Sequence, residues 1–155
     1  MRIGPLTDSS MVGVTVGEMR RVTVASPALL RQQGKPVNPK DLQDLGCVVN
    51  RGRLWRFNEQ GRQLSVRVRP SFVCNQIQAS VDACVAGLGL GSFLHYQVAA
   101  LLSAKKLKLV LEPFEPAPLP IHLIYPNARL MSPRLRAVID WLRDGLRADS
   151  VYGAG

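Results

Sequence analysis

The side chains of this chain that could carry out chemistry are two histidines and three cysteines, and their spacing does not form a catalytic set. His95 and His122 lie far apart in the sequence, and neither has an acidic residue close by. An enzymatic acid or base needs neighbours that set its protonation state. We therefore expect His122 to be a strand side chain and His95, at the start of a helix, to be a residue that could line a cleft.

The cysteines form no C-x-x-C pair and have no metal-ligand spacing. We therefore expect reduced thiols in a cytoplasmic protein, with no bound metal and no cofactor. Cys84 falls on the apolar face of a predicted helix, where a small buried side chain is usual. Cys74 lies at a strand end beside a helix N-terminus, a position that lowers a thiol pKa, so a redox-sensing thiol at Cys74 stays an alternative.

Residues 75–93 predict a helix, a glycine turn and a short buried strand. Asn75 is the expected N-cap, with Gln78 as its capping-box partner, and Gly87 is expected to end the helix in the left-handed conformation. The free N–H groups of the first helical turn and the positive end of the helix dipole together favour the binding of a carboxylate. The sequence thus predicts an anion site beside Asn75.

The segment G-L-G-L-G at 87–91 resembles a dinucleotide-binding loop, but it follows a predicted helix instead of a strand. The phosphate-binding geometry requires the order strand, loop, helix. A tight turn in which Gly89 and Gly91 allow close backbone approach is the better interpretation. The P-loop, nucleophile-elbow and zinc-protease motifs are also missing from the sequence, so an enzyme is the least favoured class of function.

Apolar periodicity predicts an α/β domain with a mixed sheet, because strands alternate with helices along the chain. Proline-rich residues 112–120 are predicted to be a stiff crossover that stays out of a sheet interior, and residues 149–155 to be a disordered tail. The predicted strands are 2–4, 21–25, 47–49, 54–57, 64–69, 90–93, 107–111 and 121–125. The predicted helices begin at Ser26-Pro27, Asn38-Pro39, Asn75, Tyr96 and Ser132-Pro133.

Ligands in open α/β sheets collect at the carboxyl ends of strands. Applying that rule to the predicted strands identifies six candidate ligand-binding residues. They are Ile3, Gly4, Ser26, Cys74, Asn75 and Phe93.

The net charge of +9 over 155 residues is compatible with an anionic partner. The cations are nevertheless spread along the chain, and the clusters at 51–56 and 67–69 include a single aromatic residue, Trp55, which is not the series of interleaved aromatics of a single-strand nucleic-acid platform. No apolar run approaches the length of a membrane span, and residues 1–5 lack an apolar signal core. We expect no membrane partner.

Seven segments in a fixed order resemble the effector-binding domain of LysR-type transcriptional regulators. The order and spacing carry the resemblance over nearly the whole chain, since no single segment is specific. The segments are R-I-G-P-L-T-D-S-S at 2–10, R-R-V-T-V-A-S-P-A-L-L at 20–30, P-K-D-L at 39–42, W-R-F at 55–57, A-C-V-A-G-L-G-L-G at 83–91, P-L-P-I-H-L-I-Y-P at 118–126 and S-P-R-L-R-A-V-I-D-W-L at 132–142.

The resemblance implies a two-lobed fold of the periplasmic-binding-protein type (type II), with a small organic-acid effector bound between the lobes. Residues 17–116 would form the complete second lobe, while 1–16 and 117–148 would form part of the first lobe. The strand at 20–26 and the proline-rich segment would be the hinge crossovers. The family reaches DNA through an N-terminal winged helix-turn-helix that these 155 residues do not include, so we expect a chain truncated at its N-terminus.

An incomplete first lobe would expose apolar sheet surface, so the resemblance also predicts a homo-oligomer, most simply a dimer. The leading interpretation is a regulatory effector-binding domain without catalysis. The alternatives are a self-association module that binds no ligand and a small enzyme.

Overall fold

The computed structural model describes residues 1–5, 12–125 and 132–148, and it confirms the predicted α/β class with mixed sheets. The strands of this part of the chain are β1 (Arg2–Ile3), β2 (Val12–Met19), β3 (Arg21–Ala25), β4 (Gly46–Val49), β5 (Leu54–Glu59), β6 (Arg62–Arg67), β7 (Arg69–Val73), β8 (Leu90–Leu94), β9 (Lys108–Val110) and β10 (Leu119–Tyr125). The helices are α1 (Pro27–Gln33), α2 (Ile77–Val85), α3 (His95–Ser103) and α4 (Pro133–Ala148), with 3-10 turns at Pro39–Gln43 and Glu112–Phe114.

The chain divides into two compact units, each with its own sheet. The first unit comprises residues 1–19 and 118–155, and the second comprises residues 20–117. The assignment of these units to two hinged lobes stays a prediction.

The first unit contains an antiparallel sheet in the order β1-β10-β2. Strand β2 was not among the predicted strands, and Pro120 was predicted to stay out of a sheet interior. That prediction is wrong, because Pro120 lies in the central strand opposite Glu18. Proline lacks an N–H donor but keeps its acceptor, and the Pro120 carbonyl accepts a hydrogen bond of 2.9 Å from the Gly4 amide.

Helix α4 of the same unit begins as predicted, with Ser132 Oγ accepting a hydrogen bond of 3.2 Å from the Leu135 amide. Ile139 is buried, while Val138 is 51% exposed. Trp141 is 74% exposed. The predicted disordered tail at 149–155 lies outside the described residues.

The second unit contains a five-stranded sheet in the order β7-β4-β8-β3-β9. Strands β7, β4 and β8 are parallel, whereas β3 runs antiparallel to β8 and β9. The carboxyl ends of the three parallel strands therefore lie beside the amino end of β3. We call this side of the sheet the carboxyl edge.

Side-chain alternation gives this sheet two buried faces, as expected for a sheet covered on both sides. One face carries Val22, Val24, Val48 and Phe93 in a core shared with residues of α2 and α3. The other face packs under the β5–β6 hairpin, and its core contains Ala25, Cys47, Val49, Trp55, Phe57, Val66 and Val68.

Helix α2 differs from its prediction at its start and agrees at its end. Its N-cap is Gln76, which makes no side-chain cap, and Gln78 donates to Asp82 at 3.0 Å, so the Asn75 capping box does not form. The chain stays extended for one residue beyond Asn75 before the helix begins. At the other end Gly87 has φ of 81°, and the amides of Gly87 and Leu88 bond the carbonyls of Cys84 and Ala83 as in a Schellman motif.

Candidate functional site

A cavity of about 520 Å³ lies at the carboxyl edge of the five-stranded sheet, entirely within the second unit. Its lining combines guanidinium groups, small polar groups and apolar surface. The lining residues are Arg21, Asn50, Arg51, Gly52, Leu54, Trp55, Arg56 and Ser92.

The strand register explains why these residues meet. In the antiparallel pair of β3 and β8, Arg21 lies opposite Leu94 and Thr23 lies opposite Ser92, so Arg21 and Ser92 share one face of the sheet. This face is the one covered by the β5–β6 hairpin, and the segment 50–52 leads from the end of β4 into that hairpin. The cavity therefore lies where the hairpin meets the end of the sheet.

The electrostatic character of the cavity is cationic. Three arginines line it, and its lining includes no Asp or Glu. Burial lowers the pKa of Arg21, and the nearby charge of Arg51 lowers it further. Among the described residues, neither Arg21 nor Arg51 forms an ion pair with a carboxylate. This part of the sheet thus holds positive charge that the described chain does not neutralise.

An apolar wall stands beside these cations. Trp55 is 9% exposed and belongs to the core under the hairpin, so its ring is held in place by packing. Leu54, the preceding residue, is 60% exposed. A site with fixed cations and an adjacent apolar wall suits a small organic anion that has an apolar part.

A second cavity of about 250 Å³ adjoins the first and shares the segment 50–52. The structure places two predicted site residues, Cys74 and Asn75, in its lining, because β7 is parallel to β4 and ends at the same edge. Cys74 Sγ accepts a hydrogen bond of 3.4 Å from the Gln76 amide at the start of α2.

Two other predicted site residues lie elsewhere. Ser26 follows β3, whose antiparallel direction takes its carboxyl end to the opposite edge of the sheet. There Ser26 is buried, and its Oγ accepts a hydrogen bond of 3.2 Å from the Leu29 amide as the N-cap of α1. Phe93 is 1% exposed in the core on the α2 and α3 side, whereas its neighbour Ser92 lines the cavity. A part for Phe93 in ligand binding stays a prediction.

The remaining predicted residues, Ile3 and Gly4, belong to the first unit. Ile3 is half-buried in β1 opposite Ile121, and Gly4 has φ of 110°. A part for them in ligand binding stays a prediction.

None of the residues that line the main cavity was among the six predicted site residues. The polar ones are Arg21, Asn50, Arg51, Arg56 and Ser92. The available sequence signal was the basic cluster of three arginines within residues 51–56. Arg21 could not be recognised, because its location at this edge depends on β3 running antiparallel to its neighbour.

The cysteines and histidines first considered for catalysis are buried or take part in hydrogen bonds within the fold. Burial raises the pKa of Cys47 and of Cys84 to about 12, so both thiols stay protonated at neutral pH. His122 lies mid-strand as predicted, with Nδ1 3.2 Å from Thr15 Oγ1. His95 begins α3, and its amide donates a hydrogen bond of 2.9 Å to the Arg20 carbonyl.

Within residues 1–5, 12–125 and 132–148, no three His, Cys, Asp or Glu side chains come together as a metal ion would require. Among the helices described there, none combines the length and apolar character of a membrane span.

Comparison with known proteins agrees with this architecture. A Pseudomonas aeruginosa protein provisionally named a transcriptional regulator is 33% identical over 162 residues, which covers 100% of this chain and 53% of the relative. The full-length structure of the Vibrio cholerae virulence activator AphB, a member of the LTTR family, matches with a TM-score of 0.76 at 25% identity, covering 91% of this chain and 49% of AphB. The regulatory domain of Vibrio vulnificus AphB matches with a TM-score of 0.76 at 24% identity, covering 91% of this chain and 72% of that domain.

These likenesses show an α/β domain with the periplasmic-binding-protein-like fold of type II, the fold of the regulatory domain that it matches. The chain belongs to the LysR substrate binding domain family, whose family model matches residues 1–147. It spans about half the length of the curated relatives that it matches, and these relatives are transcription regulators.

Proposed function

We propose that this chain is the effector-binding domain of a LysR-type transcription regulator and that it binds a small organic anion, a carboxylate or an aromatic acid. The observation that carries the proposal is the cavity at the carboxyl edge, with three arginines and no acidic residue in its lining. Charge-assisted hydrogen bonds from guanidinium to carboxylate are short and comparatively strong. Trp55 and Leu54 would contact the apolar part of the acid.

The neighbouring residues have supporting parts in this proposal. Cys74 and Asn75 would contact a ligand that extends from the main cavity into the smaller one, since the two cavities share the segment 50–52. Arg21 is the second residue of the second unit, so the proposed ligand would contact the start of that unit. In the whole regulator, the response would reach DNA through a helix-turn-helix domain.

Thermal-shift measurement against a panel of organic acids tests the proposal. A ligand present at about 100 times its Kd stabilises the folded state by roughly 2.7 kcal/mol, which is readily measured as a rise in Tm. The shift should disappear in Arg51→Gln and persist in Arg62→Gln, which removes the same charge from the far end of the hairpin. A well-folded protein that no acid of the panel stabilises would contradict the proposal.

Self-association is the second part of the proposed function. Trp141 and Val138 are exposed on α4, and large apolar side chains exposed together often mark an interface. We expect a dimer in sedimentation that weakens in Trp141→Gln, with the exposed Arg134→Gln on the same helix as the control. A monodisperse monomer at all concentrations would exclude this part. A dimer that no acid stabilises would instead favour the alternative of a self-association module.

A further inference from the structure

The cavity at the carboxyl edge carries more positive charge than a single carboxylate can balance. Arg21, Arg51 and Arg56 contribute three guanidinium groups, and the lining supplies no carboxylate against them. None of the three forms an ion pair within residues 1–5, 12–125 and 132–148. Asn50 and Ser92, the polar neutral residues of the lining, leave that charge unchanged.

Arg21 differs from the other two arginines because water cannot fully solvate it. Arg51 and Arg56 are exposed, but Arg21 is half-buried at the start of β3. Burial and the charge of Arg51 both act against its protonated form, and the pKa of Arg21 is lowered in consequence. A guanidinium held near a second guanidinium in this way is stabilised most by a partner that compensates both charges.

Resting on the function proposed above, we propose that the effector is a dianion, with negative charges placed to meet Arg21 and Arg51 together. One negative charge could neutralise only one of the two guanidinium groups, and the other would remain uncompensated beside the ligand. Two carboxylates on one small framework, or one phosphate monoester, have the required charge. The apolar wall of Trp55 and Leu54 would receive the framework between or beside the charged groups.

Isothermal titration with matched probes tests the proposal on the chain as it exists. The probes are benzoate with one carboxylate, isophthalate with two on the same ring, and phenyl phosphate at pH 8, above its second pKa of about 6. We expect isophthalate or phenyl phosphate to bind at least about tenfold more tightly than benzoate. Isophthalate preferred over phenyl phosphate identifies a dicarboxylate effector, and the reverse order identifies a phosphate monoester.

The variants assign the preference to the two arginines. Arg21→Gln and Arg51→Gln should each bring the affinity for the preferred dianion down to about that for benzoate, while Arg62→Gln should leave both affinities unchanged. Circular dichroism and urea unfolding establish that each variant is folded. Arg51→Gln keeps the test decisive if Arg21→Gln fails to fold, because Arg51 is exposed.

Two results would overturn the proposal, and they can be told apart. If benzoate binds as tightly as both dianions and Arg51→Gln weakens it, the dianion inference fails while the proposed anion-binding function stands. If no probe binds and no acid of the thermal-shift panel stabilises the folded protein, both fail.

Discussion

The guanidinium of Arg20 holds the carboxylate of Glu115 through two parallel hydrogen bonds of 2.8 Å, from Nε to Oε2 and from Nη2 to Oε1. The hydrogen bond to Glu115 is the main reason why the pKa of Arg20 is raised. The next residue, Arg21, has no such carboxylate among the described residues, and its pKa is lowered. Adjacent arginines therefore have different surroundings: Arg20 is paired with a carboxylate of the second unit, whereas Arg21 lines the cavity.

Removing the charge of Glu115 tests the structural role of Arg20. Glu115→Gln should lower the free energy of unfolding by about 1 kcal/mol, which is the upper end of the range for partly exposed ion pairs. We expect the upper end because the pair is bidentate and Glu115 is only 16% exposed. Urea unfolding measures this change. Glu112→Gln is the matched control, since Glu112 acts on Arg20 only through its charge and should change stability by less than about 0.5 kcal/mol. Equal losses in both variants would contradict the structural role of the bidentate pair.

Ser26 was a predicted ligand-binding residue and is the N-cap of α1 in the structure, which gives a second prediction. Ser26→Ala removes the N-cap of α1 and should cost about 1 kcal/mol of stability, measured by urea unfolding. Ligand affinity should stay unchanged, because Ser26 lies at the edge of the sheet opposite the cavity. Ser103→Ala, at the exposed end of α3, is the control for stability. A loss of affinity in folded Ser26→Ala would show that the original site prediction was right.

Close packing at Gly89 gives a third prediction. A Cβ at this position would lie 2.6 Å from Ser71 Oγ and 2.7 Å from the carbonyl oxygen of Gly46. Because the Gly46 oxygen is backbone, Gly89→Ala should lower the free energy of unfolding by about 1–3 kcal/mol. Gly145→Ala is the matched comparison, because a Cβ at Gly145 would have no atom within 4 Å. Gly145 lies in helix α4, where alanine is favoured over glycine, so the free energy of unfolding should rise by about 0.5–1 kcal/mol. Similar effects at both glycines would contradict the packing described for Gly89.

Thiol labelling tests the burial of the cysteines. At pH 8 a maleimide should modify Cys74 in the folded protein, while Cys47 and Cys84 should react only after denaturation. Both protected side chains are fully buried, and their raised pKa leaves almost no thiolate. Mass spectrometry of the digested protein identifies the modified residue. Modification of Cys84 at the rate of Cys74 would disagree with the packing of α2.

The same two thiols should make the folded protein less stable as the pH becomes alkaline. Folding raises the pKa of Cys47 and Cys84 from 9.0 to about 12. Below pH 9 both are protonated in either state, so this contribution to stability is complete. As the pH rises towards about 12, the unfolded chain releases these protons first, and the free energy of unfolding falls.

Urea unfolding between pH 8 and about 11 measures this slope. The double variant Cys47→Ala/Cys84→Ala should lose stability less steeply over that range, whatever its stability at pH 8. An identical slope in the unmodified chain and the double variant would mean that the two thiols do not contribute to the pH dependence of stability.

Local sequence signals were sufficient for most elements of this fold. The Ser-Pro pairs at 26–27 and 132–133 begin helices, and Gly87 ends α2, because caps and left-handed turns depend on a few adjacent residues. The alternation of buried and exposed side chains in the β5–β6 hairpin likewise follows from the two-residue period of a strand alone. The α/β class follows from the sum of such local preferences.

The direction and order of the strands depended on contacts between distant residues. Because β3 runs antiparallel to β8, Arg21 reaches the carboxyl edge and Ser26 the opposite one, although only five positions separate them. Strand β10 is central in its sheet, so Pro120 lies in a sheet interior despite its composition. Local propensity carries no information about pairing partners that are many residues away, and the cavity is formed by such pairings. The residue types thus determined the class of fold and its helix ends, while long-range strand pairing determined which arginines line the cavity.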